Sequence, residues 1–222
     1  MRTVIKAKLL ALSVEELANT ITHGLGLVLS VVGLFVLIVL SGVMGNAWLI
    51  AACVIYGLSL VVLYAASTFY HSTTSHRMKK NLQVVDHCCI YLLIAGSYTP
   101  FGIVIAGDSL GRGLMTGIWA FAIVGIIIKL IIRDRFAAVN VVSYVLMGWL
   151  GIFAVQPLFQ KLGMTAVALT IAGGIAYSLG VIFFPWTSIK HHHAIFHVFI
   201  LAGSIIHYAA VVIYVVPFAA TL

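Results

Sequence analysis

Apolar runs of bilayer length follow one another along the chain, separated by short polar stretches. They cover roughly residues 25–40, 47–70, 84–105, 114–132, 137–155, 165–184 and 194–216. A helix crossing the hydrocarbon core needs about 20 mostly apolar residues, so the pattern predicts an all-α membrane protein, a bundle of seven transmembrane helices. Turn-forming residues mark the connections: Ser41-Gly42 through Gly45-Asn46, Gly107-Asp108-Ser109, Gln156-Pro157 and Phe184-Pro185-Trp186. Glycines inside the runs, such as Gly173 and Gly174, suit close helix packing in lipid. No internal repeat or low-complexity tract interrupts the pattern.

Ahead of the first run, Glu16, Asn19 and His23 fall at i, i+3 and i+7, on one face of a short amphipathic helix, and Ser13 stands three residues before Glu16 as in a capping box. Residues 1–24 are expected to form an N-terminal segment carrying this helix, and residues 25–222 the transmembrane domain. Two readings of the polar face are open: an interfacial helix lying on the membrane, or a lining beside a site within the bundle.

Composition sharpens this picture. Of 222 residues, 63% are hydrophobic and 8% charged, against about 25% charged in soluble domains, and the mean hydropathy is +1.19. Such a chain cannot cover a globule in water, and no room is left for a soluble domain. The net charge of +7 would suggest nucleic acid in a soluble protein; here it reads as topology, and no nucleic-acid partner is expected. With the N-terminus inside, the inside segments carry Arg2, Lys6, Lys8, Arg77, Lys79, Lys80, Lys129, Arg133, Arg135 and Lys190, and the outside segments only Arg112 and Lys161. Ten against two satisfies the positive-inside rule and predicts a cytoplasmic N-terminus and an external C-terminus. Lys129, within an apolar run, is expected to snorkel. Cys53, Cys88 and Cys89 lie inside apolar segments and are odd in number, so no disulfide framework is expected. The N-terminus lacks the pattern of a cleaved signal peptide, leaving the first span to direct insertion.

Ionisable groups within spans are costly and usually functional. In this topology His71 ends the second span, Asp86 opens the third, and His193 and His197 open the seventh, all at the cytoplasmic end. His193 and His197 are i and i+4, on one helix face, and can offer two imidazoles to one metal, with His71 the third. Three protein ligands plus water is the pattern of a catalytic zinc site. Asp86 would bind the metal, hold its water or accept a proton from it, and Ser67, one turn deeper than His71, would orient a ligand or the water. On spacing alone a proton relay competes with this reading, since Asp and His chains also serve pumps. His191 and His192 read as loop residues, and His207, ten residues past His197, as a cavity-lining group rather than a ligand.

Several short motifs, in order, resemble the bacterial hemolysin III family. They are Glu16-Leu-Ala-Asn-Thr-Ile-Thr-His-Gly24, Ser67-Thr-Phe-Tyr-His71, Asp86-His-Cys-Cys-Ile-Tyr91, Gly96-Ser-Tyr-Thr-Pro-Phe101, Gly148-Trp149, Gly173-Gly through Tyr177-Ser-Leu-Gly-Val-Ile-Phe183, and His193-Ala-Ile-Phe-His197. The similarity runs from about residue 13 to the end of the seventh span. That family belongs to the progestin and adipoQ receptor superfamily, which is similar in turn to alkaline ceramidases. The resemblance implies a seven-helix bundle with its N-terminus inside and zinc held by His71, His193 and His197. It also implies that Asp86 holds the metal's water and that Ser67 is the serine of the family's Ser-x-x-x-His motif. The long N-terminal domain of the eukaryotic receptors has no counterpart in it, so adiponectin binding is not expected.

Residues and resemblance together lead to the expectation of a multi-pass zinc protein of the bacterial plasma membrane. Its partners would be membrane lipids, and it would act as a sensor or regulator of lipid state or as a zinc-dependent hydrolase of a lipid amide or ester, with a fatty-acyl substrate. The alternatives are a proton- or ion-conducting protein and a membrane-permeabilising one. Oligomeric state is left unassigned.

Overall fold

The computed structural model describes residues 12–44, 46–133, 135 and 137–222; Arg2, Lys6 and Lys8 of the charge count, Gly45 of the first connection and residues 1–11 of the N-terminal segment lie outside these. Seven helices are long and apolar enough to cross a membrane: α1 (Val14–Met44), α2 (Ala47–Ser72), α3 (His76–Val104), α4 (Ser109–Ile132), α5 (Ala138–Leu162), α6 (Met164–Phe183) and α7 (His192–Ala219). No strand occurs among the described residues.

The ends obey local rules. Ser13 Oγ accepts the Glu16 N–H at 3.1 Å, and Glu15 and Glu16 sit in the first turn of α1, where carboxylates suit the helix dipole. Asn46 caps α2 by accepting from the N–H groups of Trp48 and Leu49 at 3.0 and 3.1 Å. Its amide also donates to the Ala219 carbonyl at 3.1 Å, tying α2 to the end of α7. Asn46→Ala removes cap and tie together. It should cost about 1–2 kcal/mol, read as a lowered unfolding midpoint in detergent.

Burial is inverted relative to a soluble protein. More than half of the apolar stretches of α2 and α3 is buried by neighbours, against 17–28% in the other five helices. Val43, Ile131 and Phe35 are 80%, 75% and 68% exposed and form a lipid-facing surface. The interior is built around Leu37, Leu49, Tyr56, Tyr64 and Val211. Gly26 of α1 lets α2 approach: a Cβ there would stand 2.5 Å from the Tyr64 ring.

The structure departs from the hydropathy reading in four places. First, the expected short amphipathic helix and the first span are one unbroken helix of 31 residues; Ser13 starts it, and no proline stops it before Met44. Asn19 and His23 are each 3% exposed, so this face packs into the bundle rather than lying on the membrane. Second, Gln156-Pro157 does not end the fifth span. A 3₁₀ stretch at Leu150–Ala154 lets the α-helix restart at Val155, and Pro157 falls in the new first turn, where a missing N–H is tolerated. Tyr98 holds this break, accepting from the Gly151 N–H at 2.6 Å and donating to the Gly148 carbonyl. Third, His192 is the first residue of α7 rather than part of the loop, whereas His191 is left-handed, with φ 59°. Fourth, Lys129 does not snorkel. It is fully buried and near enough to Asp86 and Cys88 to act on them electrostatically. A carboxyl group within electrostatic reach inside the bundle is an alternative to the reach to water that hydropathy alone suggests.

A proline also shapes the end of α7. Pro217 cannot donate to the carbonyl one turn back, and a π-helical segment, Val211–Val215, precedes it, a bulge of the kind that absorbs such a register defect.

Candidate metal centre

Four helices meet at the end of the bundle where α2 stops and α3 and α7 begin. The i, i+4 spacing of α2 aligns Ser67 with His71, and that of α7 aligns His193 with His197. Packing brings His71 against both α7 histidines: ring centroids are 5.0 Å apart for His71–His193 and His71–His197, and 4.6 Å for His193–His197. One nitrogen from each of the three lies within 4.8 Å of the others. Nitrogens that share a zinc at about 2.0–2.1 Å stand roughly 3.3–4 Å apart, so a small inward turn of the rings closes the set on one ion.

Hydrogen bonding on the far side of the rings prepares them for a metal. His71 Nδ1 is 2.7 Å from Glu16 Oε2. An ionised carboxylate only accepts, so Nδ1 carries the hydrogen, and in the neutral ring the lone pair is left on Nε2. That Nε2 is buried and makes no hydrogen bond among the described residues, an orphaned acceptor that a cation would satisfy. Glu16 is held in turn by Lys79, whose Nζ is 2.6 Å from Oε1 and 5.2 Å from the Tyr70 ring centroid. Thr22 does the same for His197. Its hydroxyl is placed to donate to the carbonyls of Ala18 and Asn19, both at 3.0 Å, leaving the oxygen to accept from His197 Nδ1 at 3.1 Å. In the neutral ring the lone pair is then on His197 Nε2. Carboxylate–histidine–metal chains of this kind orient ligands and raise their basicity. The donor set is all imidazole, which suits zinc, with a fourth position open. Cys88 and Cys89, though buried nearby on α3, are not part of the cluster.

The other expected residues sort clearly. His23 stacks on His197 with centroids 3.4 Å apart and meets Tyr64 edge-on, so it packs against one ring of the cluster. Asn19 is buried one turn before it. Ser67 and Asp86 are buried; the Ser67 hydroxyl lies beside the Asp86 carboxyl group but in no well-formed hydrogen bond among the described residues. His207 is about 15 Å along α7 from His197. Its Nε2 is 2.9 Å from the Thr170 carbonyl, and it is no ligand.

His193, His197, Asp86 and Ser67 line one end of a cavity of about 540 Å³ that continues past His207 to Ile105 and Leu158. The lining between is largely apolar, and the volume falls within the usual range of small-molecule sites, about 300–1,000 Å³.

Three residues of the site escaped the sequence reading: Thr22, Lys79 and Lys129. Thr22 lies one position before His23 inside the quoted motif, yet no polar periodicity singles it out. Lys79 was counted only as a topological charge. A lysine inside an apolar run was the available signal for Lys129.

The haemolysin-III related family model matches residues 12–208. The chain is 43% identical to Hemolysin-3 of Bacillus cereus over 203 residues, covering 91% of this chain and 93% of that protein. It is also 43% identical to the Hemolysin-3 homolog of Bacillus subtilis (strain 168) over 202 residues, covering 91% and 95%. A more distant relative is the Monocyte to macrophage differentiation factor of Homo sapiens, 30% identical over 205 residues, with 89% and 83% covered. A match that runs from the first helix into the seventh and includes every residue of the histidine cluster places this multi-pass membrane chain in the haemolysin-III related family.

Proposed function

We propose that this protein binds zinc through His71, His193 and His197 and hydrolyses a lipid amide or ester within the plane of the plasma membrane, with the site towards the cytoplasm. The observation that carries the reading is the juxtaposition of the metal-ready cluster with Asp86 and Ser67 at the head of a long apolar cavity. An acyl chain fits the cavity, and its carbonyl comes to rest beside the histidines.

Zinc, when bound, lowers the pKa of a coordinated water to about 7 and polarises a carbonyl. The remaining work belongs to the chain. Glu16 and Thr22 hold the ligand rings in one tautomer. Asp86 accepts a proton from the attacking water and returns it to the departing nitrogen or oxygen, so that one water is consumed, the C–N or C–O bond breaks, and a fatty acid and an amine or alcohol leave. Ser67 orients the water or the carbonyl, and Lys129 sets the charge around Asp86. The apolar walls exclude bulk water, which strengthens each of these interactions.

The test is purified protein, prepared without chelators, against a panel of lipid amides and esters. Near-stoichiometric zinc and a released fatty acid, both lost in His71→Ala, are the expected result. Hydrolysis that persists in His71→Ala overturns the catalytic assignment. Zinc with no product from any lipid leaves a sensor of lipid state in which the metal holds the fold.

A further inference from the structure

A second cavity adjoins the first. It is lined by Lys80 and Gln83 of α3, Ile131 and Ile132 at the end of α4, and Arg133 and Arg135 beyond it. Gln83 lines both cavities. Lys80, Gln83 and His87 fall at i, i+3 and i+7, on one face of α3, with Asp86 about 9 Å along the helix from Lys80. One side of α3 therefore leads from a cationic pocket, past Gln83, into the cavity that the histidine cluster heads.

Three cations line this pocket: Lys80, Arg133 and Arg135. Lys80, Arg133 and Arg135 are all exposed. Arg133 Nη2 donates to Asn81 Oδ1 at 2.9 Å, which fixes the end of α4 against α3. Arg133 also takes the left-handed region, with φ 52°, so the chain turns sharply there. Lipid-facing apolar surface ends at this point: Ile131 in the same pocket is 75% exposed. Counting the sequence neighbour Asp134, the group Lys80, Arg133, Asp134 and Arg135 carries a net +2, three cations less one anion. Lys79 is committed to Glu16, and Lys129 is buried. Basic pockets between helices at this depth bind lipid headgroups, and arginine matches phosphate oxygens in pairs.

We propose that the Lys80–Gln83–Arg133–Arg135 pocket seats the phosphate of an anionic phospholipid whose acyl carbonyl reaches the histidine cluster. The glycerol backbone spans the interval past Gln83. The inference rests on the proposed hydrolytic site and narrows its substrate class from any lipid amide or ester to an anionic glycerophospholipid.

The test uses the whole protein in nanodiscs or detergent, with phosphatidylglycerol and phosphatidylcholine as probes. Phosphatidylglycerol should be retained at least about 10-fold better, and Lys80→Gln/Arg133→Gln/Arg135→Gln should erase the difference. The charge-preserving Lys80→Arg/Arg133→Lys/Arg135→Lys should keep it, which separates loss of charge from loss of fold. Equal retention of both lipids, or a preference surviving in the glutamine variant, overturns the proposal. Complete displacement by millimolar glycerol phosphate also overturns it, making the pocket one for soluble phosphate esters. Binding is read without turnover, so the two readings fail separately. A lipid preference abolished by the glutamine variant with no hydrolysis of any lipid removes only the catalytic reading. Equal hydrolysis of neutral amides by wild type and glutamine variant, without lipid preference, removes only the headgroup seat.

Discussion

His193→Ala/His197→Ala should lose the proposed zinc: wild type should carry a near-stoichiometric ion after purification without chelators, and the double variant less than about a tenth of it. Two of three nitrogens are gone, and a lone His71 cannot hold a tetrahedral ion that needs three protein ligands and water. The contacts behind the ligands grade the effect. Glu16→Ala leaves all three imidazoles in place but frees His71 to change tautomer and orientation. Affinity should fall about 10–100-fold, measured by competition with a chromophoric chelator. Thr22→Val keeps the shape of the side chain while removing the oxygen that accepts from His197 Nδ1, and should weaken binding less, because His197 stays clamped by the His23 stack. Unchanged zinc in the double variant, or none in wild type, returns the cluster to a proton-relay reading.

Asp86→Asn separates binding from chemistry. The amide keeps the volume of the carboxylate but cannot take a proton from water. Lipid hydrolysis should drop by about 10²–10⁴-fold, the usual worth of a positioned acid–base group, while zinc content matches wild type. The comparison to make is kcat together with metal analysis on the same preparation. Activity within a few-fold of wild type would show that Asp86 is not the proton acceptor. Parallel loss of zinc and activity would make it a ligand.

Much of the frame is legible in the sequence alone. Hydropathy depends on composition along a single helix, so seven spans could be counted, although the first, third and fifth helices run beyond the bounds it suggests. Depth follows from counting residues at a fixed rise, and that alone put His71, Asp86, His193 and His197 at one end of the bundle. The i, i+4 pair on α7 and the Ser67–His71 pair on α2 needed only helix periodicity. Where the reading slipped, the deciding interaction was between helices. The face of Glu16, Asn19 and His23 reads equally well as a membrane-surface stripe or a buried one, because periodicity gives a face but not the direction it turns. Lys129 reads as a snorkelling cation until α3 is seen to bring Asp86 beside it. Pro157 reads as a terminus until the 3₁₀ stretch held by Tyr98 on α3 lets the fifth helix pass it.

By itself, then, the sequence determined the class of fold, the number of helices, the shared depth of the metal-capable residues and their pairing within each helix, all properties of one helix at a time. Rotation of each helix about its axis and its choice of neighbours were decided only by the tertiary structure, through packing such as Tyr64 against Gly26 and His23 against His197. Those contacts turned three histidines at one depth into a cluster within 4.8 Å, set Glu16 and Thr22 behind two of them, and joined a basic pocket to the apolar cavity at Gln83.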